Sequence, residues 1–310
     1  MPSQDELLKA RKAAADPDAK RSAAIELLAA TRSRQMIDAA LYALERVTLE
    51  EADRPLLREK ALYYFAHDDK DSGALLREKL LRLLSDLGHP DDADLYTRGV
   101  TVYERKPVND TAQTCRAAAL VGLATADRTA ACRHAVRLLG EPDTSPLSGE
   151  PSLTALGVLI RFGETLPVYG FLLRQGRDCV ARGYHEVVGK ALASLGADFD
   201  PDLYAALAEP LLALDAPVVS MGVVDHVVEG RVDALYPLLE RLITRTKDAD
   251  LHRYAVLALA AARHDPLTGL LYQLARRRPL RYLRDYLEAV ELSAHPERDA
   301  LLAQLRDRLA

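Results

Sequence analysis

Asp225 and His226 interrupt an otherwise apolar run, PVVSMGVVDHVVEG, and an adjacent carboxylate and imidazole are the groups from which an acid–base pair is built. Such a pair needs burial or a close charge to tune it. The helical stripe made by Val223, Val224, Val227 and Val228 leaves both residues off the core face, so the spacing predicts a solvent-facing or groove-lining pair rather than a catalytic one. HDDKD (67–71) and HPDDAD (89–94) carry oxygen and nitrogen donors suited to a cation. Neither matches an EF-hand loop or a zinc spacing, and Asp between helices is a common N-cap, so no metal or other cofactor is expected. Cys115, Cys132 and Cys179 contain no CxxC and read as buried reduced thiols. The chain has no P-loop, nucleophile elbow, HExxH or dinucleotide fingerprint, so nothing in it recommends an enzyme.

A second chemistry is carried by ARRRPLRYLRDY, 275–286, which places five arginines in a chain of formal net charge −5. Arg276, Arg277 and Arg278 suit the negative end of one helix, and Pro279 the start of the next. Arg281 with Asp285, and Arg284 with Glu288, are spaced for surface pairs worth about 0.2–0.5 kcal/mol each. Tyr272, Tyr282 and Tyr286 lie in or beside the segment, and Tyr and Arg are frequent interface anchors. The expectation is a contact surface of Arg276, Arg277, Arg281, Tyr282 and Arg284 that binds an acidic protein. Between 250 and 310, ten Arg stand against eight acids, too mild an excess for strong duplex binding.

The elements that would position these groups repeat. DPDAKRSAAIELLA from Asp16, DRPLLREKALYYFA from Asp53 and DADLHRYAVLALAA from Asp248 align without a gap. Each sets an Asp five residues before an Arg, with apolar residues at +3, +4, +7 and +8 from the Arg, a single helical stripe. Further copies follow from Asp110 with Arg116, from Glu150, from Asp178 with Tyr184, and from Asp215 with Ser220. An eighth, from Arg278, meets Glu291 at its last place, as a wetter terminal cap would. Amphipathic segments such as RQMIDAALYALERV and VDALYPLLERLITR lie between the copies and predict partner helices, while 218–228 carries some β propensity. Residues 88–109 fill the longest gap between copies and read as an irregular insertion, supplying an extra helix or a protruding excursion, and the Gly-, Pro- and Ser-rich 140–152 reads as a surface loop. One array would then occupy 1–310, since a single helix pair is too small to bury its own stripe.

Composition agrees with a folded chain: 49% of residues are hydrophobic, and no run is apolar and long enough to span a membrane. The first residues show no apolar signal region, so the cytoplasm is the expected location. Trp is absent, which leaves any aromatic platform to Tyr.

The pattern of Asp, then Arg five or six residues later, then small and apolar residues, resembles the HEAT-repeat family over almost the whole chain. The resemblance implies an all-α fold, a right-handed α–α superhelix of about eight helical-hairpin repeats. It also implies a ladder of turn Asp and helix Arg, here Asp16, Arg21, Asp53, Arg58, Asp110, Arg116, Asp248 and Arg253, interrupted where Ala155, Tyr184 and Ser220 replace Arg. The function class it implies is a non-catalytic scaffold that binds another protein. A minority of the family is catalytic, either bilin lyases, for which no motif is found here, or HEAT-like DNA glycosylases. The glycosylase alternative would use Arg276 to Arg284 on a nucleic-acid backbone and Asp225 as the acid, against the chain's acidic charge and lack of Trp.

Overall fold

The computed structural model describes residues 16–106, 109–277 and 282–308, with backbone alone at 105, 106 and 109. The fold is all-α. Its helices are α1 (Pro17–Ala30), α2 (Arg34–Leu44), α3 (Arg54–Ala66), α4 (Leu75–Leu87), α5 (Ala93–Gly99), α6 (Gln113–Ala126), α7 (Arg128–Leu139) and α8 (Ser152–Phe162) in one compact unit, Met1–Glu164. A second unit, Thr165–Ala310, holds α9 (Thr165–Ala181), α10 (His185–Ala193), α11 (Pro201–Leu212), α12 (Pro217–Gly230), α13 (Tyr236–Arg245), α14 (Ala249–Ala261), α15 (Asp265–Arg277), α16 (Leu283–Leu292) and α17 (Arg298–Asp307). A two-residue ribbon, β1 (Arg105–Lys106) antiparallel to β2 (Asn109–Asp110), precedes α6.

Helices pair in chain order as hairpins, α1 with α2 through α7 with α8 in the first unit and α9 with α10 through α15 with α16 in the second. Several starts are fixed locally. Asp16, Asp127, Asp200 and Asp248 accept backbone N–H bonds as N-caps, and Pro17, Pro201 and Pro217 stand where a missing N–H is harmless. The Val-rich stretch 218–228 is helical throughout, so its neighbours in the stack override its β propensity.

Second helices stack directly on one another: α2, α4, α6 and α8 in turn in the first unit, and α10, α12, α14 and α16 in the second. Small residues permit close approach both between stacked second helices and within a hairpin. A Cβ on Gly222 in α12 would collide with the Gly189 carbonyl of α10, and one on Gly122 in α6 with the Tyr96 ring of α5.

Several expectations change. The helices matching the template do not form one row: α1 and α3 are first helices of their hairpins, whereas α6, α8, α10, α12, α14 and α16 are second helices. Both layers turn the same stripe towards a shared core, so periodicity does not separate them. The helix expected as one alternative within 88–109 is present as α5, but it is no extra element: it is the first helix of the third hairpin and keeps the register of helix pairs. The +8 place of the template is exposed at Ala29, Ala66, Gly163, Ala261 and Glu291, while +3 is buried in every copy. At 3.6 residues per turn, +8 lies roughly 140° from +3, past the edge of the buried face. Nor is the eighth copy terminal: α17 follows it, and Arg306 of α17 pairs with Glu291 at 2.7 Å.

Candidate protein-docking groove

The arginine-rich C-terminal segment is largely engaged within the fold. Arg276 pairs with Glu297, and Arg277 lies 3.9 Å from Glu240. Tyr282 is buried, stacked at 4.0 Å on His252, with its hydroxyl donating to the Thr246 carbonyl; it is not a surface anchor. Tyr272 and Tyr286 are core residues as well. Arg284 is exposed, and Arg281 lies outside the described residues. The carboxylates expected to pair with these arginines serve the preceding hairpin. Asp285 meets His252 Nδ1 at 2.7 Å, and Glu288 takes both arms of Arg253 at 3.0 and 2.8 Å, which holds its own carboxyl below the ordinary range.

His226 departs from expectation. It is 3% exposed, stacked on Tyr204 with ring centroids 3.8 Å apart, and its burial lowers its pKa to about 4. The buried face of α12 spans more of the helix than the valine stripe, because α10 and α14 flank it on both sides. Asp225 accepts from the Tyr254 hydroxyl at a groove edge, so the adjacent pair faces two environments. In the two acidic clusters, Asp71 accepts from Leu76 N, Arg77 N and Arg77 Nε, and the fully buried Asp92 from Arg54 and Arg58. Among the described residues no group of three or more His, Cys, Asp and Glu is placed to hold a metal ion.

The residues of the expected ladder divide by role. Arg21 reaches both oxygens of Asp53 at 3.2 and 3.0 Å, and Arg58 reaches Asp92 at 2.7 Å, each linking one first helix to the turn before the next. Asp16 and Asp248 cap their own helices. Asp110 instead meets Arg116 of its own copy, which is wholly buried and also lies 2.5 Å from Glu141 and donates to the Val102 carbonyl at 2.7 Å. Burial raises the Glu141 pKa against the opposing pull of Arg116.

That buried cluster braces the 140–152 loop. Thr144 and Ser152 share a 2.6 Å hydroxyl contact, Ser145 N donates to the Glu150 carbonyl at 2.8 Å, and Thr154 N donates to Glu150 Oε2 at 3.2 Å. Glu150 is thereby held in the lining of a groove of about 550 Å³ between α4 and α6 in the first unit. Its floor is small and apolar, with Ala117, Ala118 and the 46%-exposed Val121. Glu45, at the end of α2, and Asp86, in the last turn of α4, join Glu150 at the rim. None of these three carboxylates forms an ion pair among the described residues, and the one rim arginine, Arg82, is tied to Glu78 at 2.7 Å. Among the described residues neither His nor Cys lines the groove, and the arrangement suits binding.

The fold is shared with a chain of the AP-3 complex. The match is to a homology model of the full-length AP-3 complex in an intermediate open conformation, with a TM-score of 0.57 and 17% identity over 99% of this chain and 56% of that one. The chain therefore spans little more than half the length of its AP-3 counterpart, and the likeness is one of fold. No family model and no curated protein matches the sequence. No helix among the described residues is long and apolar enough to cross a membrane.

The groove residues Glu45, Asp86 and Glu150 were not singled out as site residues by the sequence, since they come from three separate elements. A signal was nevertheless present: Glu45 and Asp86 are acids at helix C-termini, where the dipole disfavours them.

Proposed function

We propose that this protein is a non-catalytic scaffold of HEAT-like helical hairpins that holds another protein on its second-helix face. The observation that carries this reading is the open groove over Ala117, Ala118 and Val121, rimmed by carboxylates that form no ion pair among the described residues. Apolar floor and charged rim are the parts of a protein interface, and exposed apolar surface framed by polar groups marks interaction sites. Membership of a multi-protein complex by a chain of the same fold is in keeping with this role. Two of the residues that a glycosylase would need are engaged within the fold, Asp225 with Tyr254 and Arg276 with Glu297. Affinity capture with the tagged full chain, before and after nuclease treatment, tests the reading. A stoichiometric protein that survives nuclease is expected; recovery of nucleic acid alone would overturn it.

A further inference from the structure

We infer that the groove between α4 and α6 receives a basic amphipathic helix of a partner protein. This rests on the scaffold reading and adds the chemistry of the partner. The walls are helices whose interior N–H and C=O groups are already paired along their own axes, so an extended peptide would find no strand edge to join. A helix brings its own satisfied backbone and needs only side-chain contacts, laid down at i, i+3, i+4 and i+7. Ala117 and Ala118 allow that helix to approach closely, and Val121 offers it an exposed apolar contact.

The charge is the more specific feature. Glu45, Asp86 and Glu150 line the groove and form no ion pair among the described residues, and the one arginine beside them, Arg82, is held by Glu78. Lysines or arginines flanking the apolar stripe of the incoming helix would meet all three. Helix stability does not explain Glu45 and Asp86, which stand at the negative ends of α2 and α4, whereas Glu150 also accepts from Thr154 N in the first turn of α8. Glu150 stands in a loop tied to the buried Arg116 through Glu141, so it is presented with little ordering left to do on binding. This partner is opposite in charge to the one expected from the arginine-rich segment.

The test uses the full chain and three probes: a Leu/Lys helical peptide with Leu at i, i+3, i+4 and i+7, its Leu/Glu counterpart, and the Leu/Lys peptide broken by a central proline. In fluorescence anisotropy the Leu/Lys helix binds, the other two bind about tenfold more weakly or less, and added salt weakens the complex. Hydrogen exchange shows protection at 83–86 and 114–121. The triple variant Glu45→Lys, Asp86→Lys, Glu150→Gln, changed only at the rim, binds about tenfold more weakly with an unaltered circular dichroism spectrum, mostly through a slower on-rate. A separate Val121→Arg variant loses binding too. Equal binding of the Leu/Lys and Leu/Glu peptides, protection confined to another face, or undiminished binding by the triple variant would overturn the inference. A native protein partner that the triple variant retains would overturn the groove assignment and leave the scaffold reading standing. Wild-type chain that captures no protein would sink both.

Discussion

Arg116 joins the irregular backbone before α6 to the loop after α7. Its guanidinium answers Asp110 before α6, Glu141 after α7 and the Val102 carbonyl, with none of it exposed. Arg116→Met should destabilise the unit by about 3–5 kcal/mol in urea unfolding, because two buried carboxylates lose their counter-charge. Adding Asp110→Asn and Glu141→Gln should recover part of that loss. In the second unit, His226 links stability to pH. Its imidazole takes up a proton near its ordinary value of 6.5 in the unfolded chain but only at about 4 when folded, because burial disfavours the cation. Between these values the unfolded state holds more protons, so stability rises with pH across the window and is lost as pH falls from 6.5 towards 4. The total is on the order of 3 kcal/mol. His226→Phe keeps a ring against Tyr204 and cannot ionise, so denaturation curves across this range should show a shallower acid limb than the wild type.

At the scale of elements, the stack depends on how closely second helices approach. Gly222→Ala must push α12 away from the Gly189 carbonyl of α10, and a loss of about 1–3 kcal/mol, as for other overpacked sites, is expected in thermal unfolding. Helix ends give the opposite sign. Glu45→Lys places a cation at the C-terminus of α2 and should stabilise the first unit by about 0.3–1 kcal/mol while weakening peptide binding at the groove. A gain in melting temperature together with a loss of affinity is what separates a binding carboxylate from a structural one. The expectation of a single repeat row fails at this scale for a definite reason. The Asp–Arg spacing recurs in first helices α1 and α3 and in second helices α6 and α14, while the ladder continues through Asp92, whose partners Arg54 and Arg58 lie more than thirty residues earlier.

At the scale of the molecule, contacts divide the chain into two compact units, each showing four helical hairpins among the described residues, with α17 added in the second. Each hairpin is stabilised chiefly by its neighbours, as in other repeat arrays. Arg116 and Gly222 lie in different units and share no partner, so the stability losses of Arg116→Met and Gly222→Ala should add to within about 0.5 kcal/mol in the double variant, measured by the same unfolding curves. A clearly larger or smaller loss would reveal coupling between the two sites.

What the residues alone determined was the class of fold and the existence of its helices, because a 3.6-residue apolar stripe is a local property that each segment carries in itself: α1, α3, α14 and α16 all stand where the spacing puts them. Local chemistry also marked helix starts at Asp16 and Asp248, whose caps need only their own next turn. Which layer a helix joins, and which residues meet across it, depends on neighbours distant in sequence. Tertiary packing alone buried His226 and Tyr282, joined Asp285 to His252 and Glu288 to Arg253 in the preceding hairpin, and brought Glu45, Asp86 and Glu150 from three elements to one rim. Each of those outcomes follows from the contacts of stacked helices, and no spacing along a single helix encodes them.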